Sequence, residues 1–136
     1  MKRAILFASL LLIASSVIAC GHCIEDKMAA VYDYSIVSKA VSEKHTVAFF
    51  GIEGPLVVNP ASKQSLLGMI NSIKGVDSNT TRIALETGSF SVAFNPNSIS
   101  YAELLNSLEK RLKSKNLSLF PLDTITQMPK SKVASR

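Results

Sequence analysis

Ile83-Ala84-Leu85-Glu86-Thr87-Gly88-Ser89-Phe90-Ser91-Val92-Ala93-Phe94-Asn95-Pro96-Asn97-Ser98-Ile99-Ser100 contains two short alternating runs joined at Gly88-Ser89. The run from Thr80 to Thr87 sets Ile83 and Leu85 on one face, and the run from Phe90 to Phe94 does the same for Phe90, Val92 and Phe94. Alternation of this kind matches the period of a half-buried strand, and the Gly-Ser pair supplies a hairpin turn. Pro96 halts the second strand. Ser100 and Glu103 then make a capping box, the start signal of a helix. Leu104, Leu105, Leu108 and Leu112 give that helix its apolar stripe.

Outward from the hairpin the pattern is symmetrical. Leu117 to Leu122 reads as a last strand. Upstream, Asn59-Pro60 forms a helix cap with proline at the first helical position, and Leu66, Leu67, Met69, Ile70 and Ile73 form a helical stripe that Gly75 ends. Before it, His45 to Ile52 (HTVAFFGI) is an apolar run of strand length rich in β-branched and aromatic residues. The order β-α-β-β-α-β predicts an α+β, ferredoxin-like sandwich with two helices over one face of an antiparallel sheet. An additional N-terminal amphipathic helix precedes it. Ile24 to Lys44 lacks Gly and Pro, and Ile24, Met28, Tyr32, Ile36 and Ala40 recur every four residues beside Ala29 and Val37. Met28, Met69, Tyr32 and Tyr34 are read as packing residues, and His45 as the edge of a strand.

At 136 residues the chain suits one domain with extensions. Met1-Lys2-Arg3 is a charged start, Ala4 to Ile18 is an apolar run, and Val17-Ile18-Ala19 offers a cut before Cys20, the signature of a secretory leader. The run falls short of the roughly 20 residues a membrane span needs. The expected organisation is a signal peptide over 1–19, a Cys-x-x-Cys and helix over 20–44, a domain over 45–123 and a flexible tail over 124–136. The expected location is periplasmic or secreted, with a lipid anchor on Cys20 as the alternative, since Val17-Ile18-Ala19-Cys20 also fits a loose lipobox. Loss of Lys2 and Arg3 lowers the formal charge from +5 to +3. The remaining Lys and Arg are scattered apart from the tail, which argues against nucleic acid as a partner.

The stretch from Ser65 to Leu122 resembles the heavy-metal-associated domain of copper chaperones and metal-pumping ATPases. The likeness is carried by Ile73-Lys74-Gly75-Val76, by IALETGSFSVAFNPNSIS across the hairpin and by AELLNSLEKRL on the following helix. It implies the same fold and a soft-metal cargo passed between protein partners. That family binds metal through Met-x-Cys-x-x-Cys between its first strand and first helix. The matching positions here are Val57, Asn59 and Ser62, so the usual loop site is missing by residue type.

Both cysteines of the chain stand instead in Cys20-Gly21-His22-Cys23. A disulfide closing so small a ring removes little unfolded-chain entropy, so a structural staple explains the pair poorly. Two thiolates at this spacing suit Cu(I), and a helix N-terminus lowers thiol pKa, although Glu25 and Asp26 oppose that shift. Cys20, Cys23 and the auxiliary ligand His22 are therefore the candidate metal residues, with copper as the expected ion. Zinc fits less well, because its structural sites want four ligands. Cleavage before Cys20 would also make His22 the third residue, so that the amine, backbone nitrogens and imidazole suit square-planar Cu(II) or Ni(II). Two alternatives share the motif. One is thiol-disulfide exchange, because CGHC is similar to the tetrapeptide of protein disulfide isomerases, and the other is a non-metal binding module on a degenerate domain. The sequence contains no catalytic Ser-His-Asp spacing and no phosphate loop, and Asp33, Glu53 and Asp77 are scattered, so no enzyme is expected.

Overall fold

The computed structural model describes residues 20–128, with side chains from residue 24 onward. Its elements are α1 (Cys20–Val31), α2 (Tyr34–Ser42), β1 (Thr46–Glu53), α3 (Pro60–Asn71), β2 (Arg82–Ala84), β3 (Ser89–Phe94), α4 (Tyr101–Lys113) and β4 (Ser118–Ile125). The strands form one antiparallel sheet in the order β2-β3-β1-β4. Both β1-α3-β2 and β3-α4-β4 therefore skip over a strand, which is the ferredoxin-like split βαβ arrangement. β1 is central, pairing Phe50 with Phe90 of β3 and, across a bulge between Phe49 and Phe50, with Pro121 of β4.

The caps act where the sequence placed them. Asn59 Oδ1 accepts the Ser62 amide at 2.7 Å, and Ser100 and Glu103 satisfy each other's backbone donors at 3.1 and 2.9 Å. α3 and α4 bury Leu66, Ile70, Leu104, Leu108 and Leu112 against Ala48, Phe50, Ile52, Phe90, Val92 and Phe94 on one side of the sheet.

The N-terminal helix departs from expectation in three ways. First, it is two helices. Asp33 adopts an extended conformation (φ −129°, ψ 110°), and its side chain accepts the Ser35 and Ile36 amides at 3.0 and 3.3 Å, so the chain stops and restarts there. Second, the restart shifts the apolar stripe. Val31, Ile36, Val37 and Ala40 are buried, whereas Ile24 and Tyr32 are partly exposed and Tyr34 is 64% exposed rather than packed. Third, the pair covers the second face of the sheet, which the two-helix sandwich expected from sequence leaves open. Val31, Ile36, Val37 and Ala40 close over Val47, Phe49 and Ala93 in a second core, and Tyr32 stacks on Phe49 at 6.4 Å between ring centres. Both faces of the sheet are thus dry along β1 and β3. β4 also extends to Ile125, past the Leu122 end expected from sequence.

Candidate functional site

The end of β1, the β2–β3 turn and the start of β4 lie together at one end of the sheet. Gly51 is opposite Ser89, the Ile52 amide donates to the Gly88 carbonyl at 2.7 Å, and Glu53 is opposite Ser118. The long connection from Gly54 to Asn59 leaves from this same end.

α1 is seated against that end by polar contacts from β3. Ser89 Oγ donates to the Lys27 carbonyl at 2.8 Å, and Ser91 Oγ donates to the Val31 carbonyl at 2.7 Å. Four helical residues rise about 6 Å and two strand residues about 6.6 Å, so successive inward serines meet successive turns of a helix running parallel to β3. Both serines are buried, and each finds its acceptor in a carbonyl of α1. The Lys27 ammonium donates to the Thr87 carbonyl and stands 5.9 Å from the centre of the Phe120 ring. It therefore pins the helix to the hairpin turn and to β4 at once.

Cys20 opens α1 seven residues before Lys27, about 10 Å along a helix axis. The backbone of the Cys20–Cys23 turn is accordingly placed toward the hairpin end of the sheet. The side chains of Cys20, His22 and Cys23 lie outside the described residues.

The β1–α3 connection has the local chemistry of a cap. Gly54 adopts φ +131°, and a Cβ there would come within 2.8 Å of the Asn116 carbonyl, so the turn requires glycine. Asn59 and Ser62 are joined by the helix-capping hydrogen bond described above. Val57 and Val58 project outward, 61% and 54% exposed. The positions that would hold thiols in the resembled family are a capping amide and a hydroxyl.

Two residues make contacts that the sequence reading did not assign. Among the described residues, one group of histidine and carboxylate side chains converges, namely Glu43, His45 and Asp77. His45 is no bare strand edge, since its Nδ1 lies 2.7 Å from Asp77 Oδ2 and 3.8 Å from Glu43 Oε2. Nor is Asp77 isolated. Residues 32 apart in the chain give no local spacing to notice, and Glu43 reads as an ordinary helix-end acid.

Neither a family model nor a characterised protein matches this sequence. Among solved structures, a copper binding domain from HMA7, a P-type ATPase, matches with a TM-score of 0.47 and 16% identity over 58% of this chain and 96% of that chain.

Proposed function

We propose that this chain is an exported carrier that binds a soft metal ion, copper, and relays it to a partner protein without catalysing a reaction. Cys20 and Cys23 act as thiolate ligands and His22 as an auxiliary nitrogen ligand. The observation that carries this reading is the placement of the Cys-x-x-Cys on α1, a helix fixed by Lys27, Ser89 and Ser91 to the end of the sheet from which the β1–α3 connection departs. Cleavage before Cys20 would leave the amides of this turn without intrahelical acceptors, which favours the thiolate over the thiol, and residues three apart fall on one side of a helix. Two thiolates on one side make a low-coordinate clasp suited to Cu(I). A firmly held second turn keeps the backbone of the clasp in one place. No helix among the described residues is long and apolar enough to cross a membrane.

The test is titration of the reduced protein with Cu(I) against a chromophoric chelator. One ion per chain is expected, with uptake lost in Cys20→Ser and in Cys23→Ser. Uptake that persists in the double variant would falsify the thiolate site. Reduction of insulin at the rate of a disulfide isomerase, abolished by the same substitutions, would replace the carrier reading by thiol-disulfide exchange. Intact mass of protein recovered from the exported compartment reads the cut before Cys20. A diacylglycerol adduct there moves the protein from free to anchored.

A further inference from the structure

We infer that Glu43, His45 and Asp77 form a second cation site, built from nitrogen and oxygen donors for a divalent ion of borderline hardness. It does not depend on the thiolate reading.

The three donors come from two segments whose backbones are fixed. α2 ends in a left-handed turn at Lys44 (φ 61°), with the Lys44 amide donating to the Val41 carbonyl at 3.1 Å and the His45 amide to the Ala40 carbonyl at 2.7 Å. This double bond pattern is a Schellman closure, and it brings Glu43 and His45 to flank one tight reversal. Asp77 leaves α3 by another route. Its amide donates to the Ala93 carbonyl at 2.9 Å, and its carbonyl accepts the Thr80 hydroxyl at 2.8 Å.

The donor atoms, His45 Nδ1, Asp77 Oδ2 and Glu43 Oε2, lie within 4.8 Å of one another. Zinc bonds to such ligands are about 2.0–2.2 Å, so donors on a tetrahedral ion stand roughly 3.3–3.5 Å apart. The observed 2.7 and 3.8 Å straddle that separation, so small side-chain movements suffice. Those movements replace the contact between His45 and Asp77 by a shared ion. The side chains of His45 and Asp77 are 19% and 22% exposed and that of Glu43 is 44% exposed, which leaves one open side for water as the fourth ligand.

Glu43 and Asp77 also line an open cleft of about 530 Å³ that gives the ion a way in. Two cations border the cleft. Lys39 Nζ is 4.0 Å from Glu43 Oε1, and Arg82 is engaged with Asp33 at 3.2 Å. Lys39 is therefore the group an incoming ion displaces. One nitrogen and two carboxylate oxygens suit Zn(II) and are poor partners for Cu(I). The site stands at the start of β1, while the Cys-x-x-Cys turn belongs to the opposite end, about 26 Å along an eight-residue strand. The molecule would thus sort a soft ion and a borderline ion to opposite ends.

Isothermal titration with zinc sulfate on the Cys20→Ser, His22→Ala, Cys23→Ser variant isolates this site. One zinc ion per chain with micromolar affinity is expected, and binding should weaken at least tenfold in His45→Gln and in Asp77→Asn. Glu43→Gln removes a ligand at an exposed position and leaves the cap backbone intact, so it reads the site even if the other two variants fold poorly. A fivefold or greater loss is expected there. Zinc should also raise the midpoint of thermal unfolding, because the ion would tie α2 to the α3–β2 connection. Absence of uptake at millimolar zinc, or equal uptake in Glu43→Gln, overturns the site. Since the test protein lacks both thiols, either outcome leaves the copper proposal to its own experiment.

Discussion

Phe49→Ala tests whether α1 and α2 are an integral layer of the fold. Phe49 lies on the face of β1 that these helices cover, its accessible surface is 0%, and it packs among Val31, Val37, Ala40, Val47 and Ala93. Truncating a fully buried phenylalanine costs about 3–5 kcal/mol, the sum of lost transfer energy and a cavity. The same change on a wet sheet face costs within about 0.5 kcal/mol. The gap between those figures is the whole contribution of the covering layer at this position. Phe50→Ala, on the α3–α4 side and also at 0% exposure, is the internal standard and should lose a similar amount. Tyr32 adds a smaller increment. Its ring is nearly parallel to Phe49 (9°) but 6.4 Å away, toward the far limit for aromatic pairs, so a double-mutant cycle with Tyr32→Leu should give about 0.5 kcal/mol of coupling. Urea unfolding followed by far-ultraviolet circular dichroism gives all four values. If Phe49→Ala loses less than about 1 kcal/mol while Phe50→Ala loses its full share, the helices do not close that face and the seating of α1 argued above fails with them.

Two further outcomes follow from single contacts. Phe120 occupies the space a side chain would need at Gly51, where a Cβ would fall 2.2 Å from the ring, so Gly51→Val should displace the ring, release Lys27 from it and cost about 1–3 kcal/mol, measured by the same unfolding. The Asp33 carboxyl is held below its usual pKa by the Ser35 hydroxyl first and the Ile36 amide next, with Arg82 a smaller influence. A group stabilised in its charged form contributes fully above its unfolded pKa, here 3.8, and loses that contribution as pH falls through the lower folded value. Asp33→Ala should therefore be less stable than the parent at pH 6, with the gap closing progressively below pH 4. A pH-independent gap would refute the role of the charge.

How far the sequence could be read depended on whether the signal was local. The Asn59-Pro60 start and the Ser100–Glu103 box are each decided within a few residues and appear where expected, whereas the strand expected over Thr80 to Thr87 is only Arg82–Ala84 and the hairpin turn takes Leu85 to Gly88, leaving Ser89 in β3. The break at Asp33 was hidden because Tyr32-Asp33-Tyr34 contains no glycine or proline, and an aspartate inside a helical stretch reads as a solvated face. Its extended conformation is supported from a distance, by Arg82 on β2. The covered face had a trace in the sequence. Val47 to Ile52 runs apolar without alternation, and all of those positions are buried, which is what a strand between two dry layers shows. Ser89 and Ser91 pointed the other way, since alternating serines suggest a wet face. They are buried because α1 brings carbonyl acceptors to them. Residues 20–23 carry the proposed chemistry, and their motif is legible in one dimension, whereas the meeting of His45 with Asp77 exists only in three.

The bulge leaves Leu122 of β4 without a partner on β1, next to Pro121, on an edge strand of the sheet. A strand with a proline and a bulge in its middle lacks one backbone donor and has an altered twist, and both features discourage a neighbouring chain from adding itself there. At the other edge β2 is only three residues long, too short to template a lasting ladder. With both margins blunted and both faces covered, the sheet is closed to polymerisation by strand exchange. Any protein that meets this one has to recognise its side chains and its loops.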